Sequence, residues 1–275
     1  MVDLHCHSRY SDGTYDVRDL LMEAEQSGIT VLALTDHDTI DGIEPFLKTE
    51  SHVKKIPGIE ISIDWNKGTF HLVGLFIDHK NQKLNETIDK LKQFRRERNN
   101  LLLQKLSELI GKEVKMEDIS EENYGELGRP HIAQFMIKKG LVKTIEEAFE
   151  KYLGKGKSLY VPKKRLYLEN ASYLIKTAGG ISIIAHPITI EIEKEDNFFK
   201  MAKDAGVDGI EVYCSLHSEK EVAKYMNIAE KYNFLISLGS DFHGTNKKDV
   251  LLGKHGCDEN ASLFYYQKML EYIGK

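Results

Sequence analysis

The sequence predicts an α/β fold of barrel type carrying a mid-chain helical insertion, and three observations predict it. Short apolar runs recur at 2–6 (VDLHC), 29–35 (ITVLALT), 57–63 (PGIEISI), 69–77 (TFHLVGLFI), 181–185 (ISIIA), 208–213 (DGIEVY) and 234–239 (FLISLG). Helix-like segments lie near 16–28, 83–110, 169–178, 196–205 and 218–232. This alternation points to an α/β protein with much parallel sheet. Seven strands suit a barrel-like arrangement better than a small open sheet, a choice that periodicity alone leaves open. The third observation is a change of texture between residues 81 and 164. That stretch opens with a long charged helix containing Phe94-Arg95-Arg96-Glu97-Arg98. Helical patterns follow near 130–139 and 144–153, with a strand expected at most at Leu159–Val161. Gly154-Lys155-Gly156-Lys157 reads as a flexible loop. Residues 81–164 are therefore an expected insertion, leaving 1–80 and 165–275 as the barrel domain. Residues 260–274 form an expected closing helix.

Composition narrows the function classes. The chain has 275 residues, 41% hydrophobic and 29% charged, with a formal net charge of -5. This is enough chain for a sizeable core. No run approaches the roughly 18 consecutive apolar residues of a membrane span. The start, Met-Val-Asp-Leu-His, has no signal-peptide pattern. Three cysteines, Cys6, Cys214 and Cys257, lack CxxC spacing and fit a reducing, cytoplasmic setting. The negative balance argues against binding long nucleic acid, while leaving room for a local basic pocket.

Chemistry gathers at the strand ends. His5-Cys6-His7 places two imidazoles on one face of an extended strand, with Cys6 turned away; Asp12 follows in a Ser-Asp-Gly turn. Thr35-Asp36-His37-Asp38 stands directly after a buried run, where barrel folds place catalysis. Helix capping accounts for Asp38 but not for His37. Glu60 opposes Ile59, Ile61 and Ile63 on its strand, and a carboxylate there is costly unless paired or metal-bound; the alternative is an edge strand with a wet face. His71 lies in Phe70-His71-Leu72-Val73, where a hydrogen-bonded core histidine is the plainer reading. His186 follows ISIIA, and Asp241-Phe242-His243 repeats the two-residue spacing after FLISLG. Taken singly, each has a bland explanation. Together, six histidines (His5, His7, His37, His71, His186, His243), two aspartates (Asp12, Asp241) and Glu60 form the imidazole-carboxylate set of a catalytic Zn, Mn or Fe site. That is more than one ion needs. Two or three divalent ions sharing a carboxylate would clamp phosphoryl oxygens and supply a bound hydroxide. The residues thus read as a multinuclear metallohydrolase, most plausibly a phosphoesterase.

The motifs HCHSRYSDG, LALTDHDT, PGIEIS, HLVG, AHP and GSDFHG, in this order over residues 5–244, resemble the PHP (polymerase and histidinol phosphatase) family. The resemblance implies a distorted seven-stranded β/α barrel. It also implies one ion held by His5, His7, Glu60 and Asp241, a second by Glu60, His71 and His186, and a third by Asp12, His37 and His243. Asp12 replaces a histidine found in some members, which moves the match away from the histidinol phosphatase branch. The chain looks closer to stand-alone members that resemble 3′,5′-nucleoside bisphosphate phosphatases and AMP phosphatases, some of which trim short RNA from the 5′ end.

The expected activity is hydrolysis of a nucleotide phosphate monoester, a nucleoside 3′,5′-bisphosphate ranking first, by attack of a metal-bridging hydroxide. His243, His186 and Asp241 are the expected catalytic groups. Arg129 and His131, in Gly128-Arg129-Pro130-His131, and His217 are expected substrate-phosphate contacts. The bland alternatives are a surface helix cap for the first pair and an incidental neighbour of a capping Ser218 for His217. The rival activities are 5′-3′ exonuclease action on short RNA and histidinol-phosphate hydrolysis; the rival of another class is a non-catalytic metal-binding module. The expected partners are a small phosphorylated substrate or short RNA, with neither membrane nor long nucleic acid.

Overall fold

The computed structural model describes residues 1–119 and 128–274. The chain divides into two compact units, Met1–Ile88 with Arg165–Lys275, and Asp89–Lys164.

The first unit contains seven strands: β1 (Val2–Cys6), β2 (Val31–Leu34), β3 (Lys54–Ser62), β4 (His71–Leu75), β5 (Ile181–Ile184), β6 (Gly209–Cys214) and β7 (Leu235–Gly239). Each pairs with its sequence neighbour in one sheet of order β1-β2-β3-β4-β5-β6-β7. Beyond the sheet's ends, β1 and β7 run into each other: His7 N–H donates to Phe242 O at 2.9 Å and Asp241 N–H to His5 O at 2.9 Å. The sheet thereby nearly closes into a distorted barrel. Its helices are α1 (Val17–Gln26), α2 (Ile43–Lys48), α7 (Leu168–Thr177), α8 (Glu195–Asp204), α9 (Glu219–Tyr232) and α10 (Glu259–Ile273). An apolar cluster joins Val2, Leu4, Ala33, Ile56, Val73, Ile183 and Leu238 of the strands to Tyr266 and Met269 of α10.

Much of the sheet is parallel, as expected, with β1-β2-β3 and β5-β6-β7 running parallel, and three details differ from the sequence reading. β4 is antiparallel to both β3 and β5. The connection from Ser62 to His71 is too short for the crossover that a parallel pair requires. Reversal has a consequence: the first residue of β4, His71, comes to the rim where the parallel strands end. β3 is also no edge strand, since β2 and β4 flank it and its residues from Gly58 to Ser62 are buried. Asp38 caps no helix. It has φ 50°, and its carboxylate accepts from Ser62 N–H and Oγ at 2.9 Å each, tying the β2 loop to β3.

The second unit is helical: most of α3 (Gln82–Ile110), α4 (Met116–Ile119), α5 (Arg129–Lys138), α6 (Ile145–Ala148) and a π-helical turn at Phe149–Leu153. Leu102, Leu106, Ile132, Met136, Leu153 and Leu159 share its own core. Leu159–Val161 is not a strand; Leu159 N–H donates to Tyr152 O and packs as a core side chain instead.

Candidate metal centre

Six of the seven strands of the first unit, all but β6, deliver a side chain from one rim to one cluster. His5 is the penultimate residue of β1 and His7 follows it; His37 follows β2; Glu60 lies near the end of β3; His71 opens β4; His186 follows β5; Asp241 and His243 follow β7. β1 carries a bulge between Asp3 and Cys6. Bulges re-aim side chains beside functional sites, and this one falls at His5. Cys6 turns away as expected, its thiol donating to Ala33 O at 3.1 Å.

Glu60 is the hub. It is fully buried, and its two oxygens face different histidines. Oε1 lies 3.0 Å from both His71 Nδ1 and His186 Nε2. Oε2 lies 2.9 Å from His37 Nδ1, 3.2 Å from His7 Nε2 and 3.4 Å from His5 Nε2. Asp241 Oδ1 is 3.3 Å from His7 Nε2 and 3.4 Å from His243 Nδ1. Asp12 completes the far side, with Oδ1 3.2 Å from His243 Nε2 and Oδ2 3.7 Å from His37 Nε2. Asp12 is the open edge of the cluster, its side chain 47% exposed.

A buried polar atom normally finds a hydrogen bond. Here His5 Nε2, His7 Nε2, His37 Nδ1, His71 Nδ1 and Glu60 Oε2 are buried without one. All five converge on the cluster. Lone pairs of imidazole and carboxylate, close in space and unspent on hydrogen bonds, are the donor set of a borderline divalent cation. Four groups have ligand atoms near enough to share an ion: His7/Asp12/His37/His243, His5/His7/Asp241, His5/Glu60/His186 and His37/Glu60/His71. The residues therefore fit two or three divalent ions, with Glu60 between them.

Electrostatics agrees with dense packing of opposite charges. Burial works against the His7 cation, but Asp241 and Glu60 more than offset it and raise its pKa to about 9. Burial likewise opposes ionisation of Glu60 and Asp241, yet the surrounding imidazoles hold both carboxyls well below the usual range. At His71 burial wins over Glu60 and lowers the pKa to about 4. Two of these side chains stand on strained backbone: His186 at φ 24° and Asp241 at φ 57°. Non-glycine residues held there cost about 1–3 kcal/mol each, and such strain clusters at functional sites.

Three further residues, missed in the sequence, hold the cluster from behind. Glu211 of β6 reaches His5 and the backbone of His186. Asp36 accepts from Ser8 N–H, Ser8 Oγ and Ser11 Oγ, fixing the turn that bears Asp12. Lys247 pairs with Asp241 Oδ2, leaving Oδ1 for the histidines. The one available signal was for Glu211, a lone acid inside the apolar run DGIEVY.

The expected substrate contacts divide. His217, in the first unit, is held by its Nδ1 against Val212 O at 2.8 Å and packs on Tyr225, with Nε2 buried and unbonded. Burial lowers its pKa. Ser218 caps α9 as the bland reading held. In the second unit, Arg129 donates to Leu153 O and lies over the Phe149 and Tyr160 rings. His131 Nδ1 accepts from Gly128 N–H at 2.9 Å, so it caps α5.

A barrel whose strand ends assemble this donor set defines a metal-dependent hydrolase. Comparison with known proteins gives the family: the PHP domain matches residues 3–271, and the chain belongs to it. It is 34% identical over 245 residues to a 5′-3′ exoribonuclease of Haemophilus influenzae, covering 88% of this chain and 89% of that one. It is 32% identical over 264 residues to a 3′,5′-nucleoside bisphosphate phosphatase of Chromobacterium violaceum, covering 90% of each. A solved structure from Bifidobacterium adolescentis, described as a metal-dependent phosphoesterase, superposes with a TM-score of 0.80 at 24% identity over 100% of this chain and 98% of the other; it bears out the fold. The chain is a metal-dependent phosphoesterase of the PHP family. No helix among the described residues is long and apolar enough to cross a membrane.

Proposed function

We propose that this enzyme hydrolyses a phosphate monoester of a nucleotide, a nucleoside 3′,5′-bisphosphate being the preferred class. The observation that carries the hydrolytic reading is the convergence of the nine expected ligand side chains: His5, His7, His37, His71 and His186 on the two oxygens of Glu60, with Asp241 joined to them through His7, and Asp12 through His37 and His243. A degenerate, non-catalytic module would have lost some of them. The substrate class is supported by likeness to the Chromobacterium violaceum phosphatase. Short RNA is the second reading, favoured by similarity to the Haemophilus influenzae exoribonuclease.

In this reading His5, His7, Glu60 and Asp241 hold one ion, Glu60, His71 and His186 a second, and Asp12, His37 and His243 a third. When bound, such ions supply a water-derived nucleophile at neutral pH and neutralise phosphoryl charge. Glu60 separates the first two positions by one carboxylate. Asp241, with Oδ2 held by Lys247, presents one oxygen to the reacting side. His243 Nδ1 is anchored by Asp241 O at 2.8 Å, which leaves Nε2 facing the open Asp12 edge. Nε2 is then the nitrogen that His243 would offer to the third ion, and His186 Nε2 is likewise turned inward to Glu60, so in this reading both histidines act as ligands and the departing ribose oxygen takes its proton from solvent. His217 Nδ1 donates to Val212 O, so Nε2 would bond a substrate phosphate only as the imidazolium, a form that a phosphate beside it would favour; Arg129 and His131 are tested as further contacts. The three cysteines are free and buried, which fits a reducing compartment, and cytoplasm is the location we propose.

The test is phosphate release from adenosine 3′,5′-bisphosphate, AMP, a 5′-phosphorylated dinucleotide and histidinol phosphate, with Mn, Zn or Fe supplied. Preference for the bisphosphate is the expected result. Preference for the dinucleotide selects the exonuclease reading, and release from none, with ions bound, selects the non-catalytic module. His217→Ala and Arg129→Ala are expected to raise KM with little change in metal content.

A further inference from the structure

We infer that Glu211 is a positioning residue for two ion positions at once, fixing the tautomer of His5 with one oxygen and the backbone of His186 with the other. The inference rests on the cluster being a metal centre and is independent of the substrate.

Glu211 sits in β6 and is 2% exposed. Its Oε1 lies 3.0 Å from His5 Nδ1, and its Oε2 accepts from His186 N–H at 2.6 Å. On the other side, His5 Nε2 lies 3.4 Å from Glu60 Oε2 and His186 Nε2 lies 3.0 Å from Glu60 Oε1. The four residues close a ring: Glu60, His5, Glu211, His186. Glu60 separates two ion positions from within, and Glu211 ties their two histidines together from without. The rings of His5 and His186 stack 5.5 Å apart inside it.

Each oxygen of Glu211 does a different task. An ionised carboxylate only accepts hydrogen bonds. His5 must therefore carry its proton on Nδ1, which leaves the lone pair of Nε2 aimed into the cluster, where that atom has no hydrogen-bond partner. Outer carboxylates commonly orient a ligating histidine this way. The second oxygen acts on main chain. His186 has φ 24° and ψ 64°, a conformation that needs outside support. Its N–H is held by Glu211, while Thr189 Oγ1, 3.0 Å from Nδ1, holds the ring. Space for the arrangement comes from β7: a Cβ on Gly239 would lie 2.8 Å from His5 N and 3.0 Å from Glu211 Oε1.

The two oxygens can be separated by substitution in the full-length protein. Glu211→Gln leaves one acceptor. The His186 N–H is a donor that cannot change, so the amide oxygen turns to it. The amide NH2 then faces His5 Nδ1, which must accept, and the ring proton moves to Nε2. His5 is lost as a ligand while His186 stays anchored. Glu211→Ala removes both anchors. We expect Glu211→Gln to weaken binding of Mn²⁺ or Zn²⁺ by about 10–100-fold at the position His5 serves, leaving the other positions near parental affinity. Glu211→Ala should weaken two positions. Ions bound per chain are read by metal analysis after equilibration at fixed free ion, and the His5 tautomer by nitrogen-15 NMR of the protein at saturating Zn²⁺. Asp208→Asn is the control for general weakening: Asp208 is a buried carboxylate engaged with Ser182 and Tyr272, and its loss should lower Tm without changing ion affinity. An unchanged His5 tautomer in Glu211→Gln, or equal ion loss in all three variants, would overturn the inference. Failure of the parent protein to bind ions would instead overturn the metal-centre reading itself.

Discussion

At Glu60 both carboxylate oxygens face the proposed ion positions, so Glu60→Gln replaces one ligand oxygen by an NH2 group with no change in volume. Because Oε1 serves His71 and His186 while Oε2 serves His5, His7 and His37, no orientation of the amide satisfies both sides. We expect ion content to fall at two positions and turnover to drop by more than the roughly 100-fold upper figure for outer-sphere partners; metal analysis alongside phosphate release checks it. Lys247 acts through one bond. Its side chain, 37% exposed, pairs through the ammonium with the nearly buried carboxylate of Asp241. A hydrogen bond to a charged group contributes about 1.5–3 kcal/mol, so Lys247→Met should weaken ion binding by roughly tenfold or somewhat more, with Lys247→Arg restoring part of it. An unchanged affinity together with a raised KM would assign Lys247 to the substrate instead. Eight of the nine ligand candidates were legible in the sequence because each is a polar residue in or just beyond an apolar run; Asp12 stood out only through its Ser-Asp-Gly turn after His5-Cys6-His7. Lys247 and Asp36 were not legible. A lysine four residues beyond His243 reads as a solvated charge, and Asp36 reads as part of a turn until Ser8 and Ser11 are seen beside it.

At the scale of elements, the seam between β1 and β7 is the least forgiving part of the barrel. Gly239 lies where the two strands approach, and an added Cβ would fall on the His5 Cβ. The His5 Cβ and N are fixed by the β1 backbone and cannot swing away. Gly239→Ala is expected to destabilise by at least the 1–3 kcal/mol typical of overpacking and to displace His5, seen as a lowered Tm together with reduced ion binding. Ser218→Ala offers a contrast. Ser218 caps α9 by accepting from Glu221 N–H, so its loss should cost about 1 kcal/mol and leave ion binding intact. The strand positions were readable because apolar runs bounded by turns leave little choice, and all seven fall within a few residues of their expected places. Direction was not readable. Whether β4 runs up or down depends on the length of a connection whose path the pattern does not record, and that direction is what brings His71 to the rim. Short α2 was missed too, since Ile43–Lys48 is too brief to show a helical period.

On the scale of the whole chain, the proposed ligands are drawn from Met1–Ile88 and Arg165–Lys275, and none lies among the described residues of Asp89–Lys164. An ion bound by His5, Glu60 and Asp241 joins segments far apart in sequence, so binding and folding of the barrel unit are linked. A ligand present at 100 times its Kd stabilises by about 2.7 kcal/mol per site, and for a chain of this size each kcal/mol moves Tm by roughly 2–4 °C. Removing the ions with a chelator should therefore lower the barrel transition by at least several degrees. The helical unit has its own core, built from Leu102, Leu106, Ile132 and Met136, and none of the proposed ligands is among its described residues. Hydrogen exchange, followed with and without Mn²⁺, should show added protection within residues 1–88 and 165–274 and little change within 89–119 and 128–164. Segments carrying His5, Glu60, His186 and Asp241 should change most, because these residues close the ring around Glu60. Equal protection of both units would mean that the ions stabilise the chain as a single cooperative body. Protection confined to the helical unit would mean that the ions bind elsewhere, and the cluster around Glu60 would lose its claim to be the metal centre.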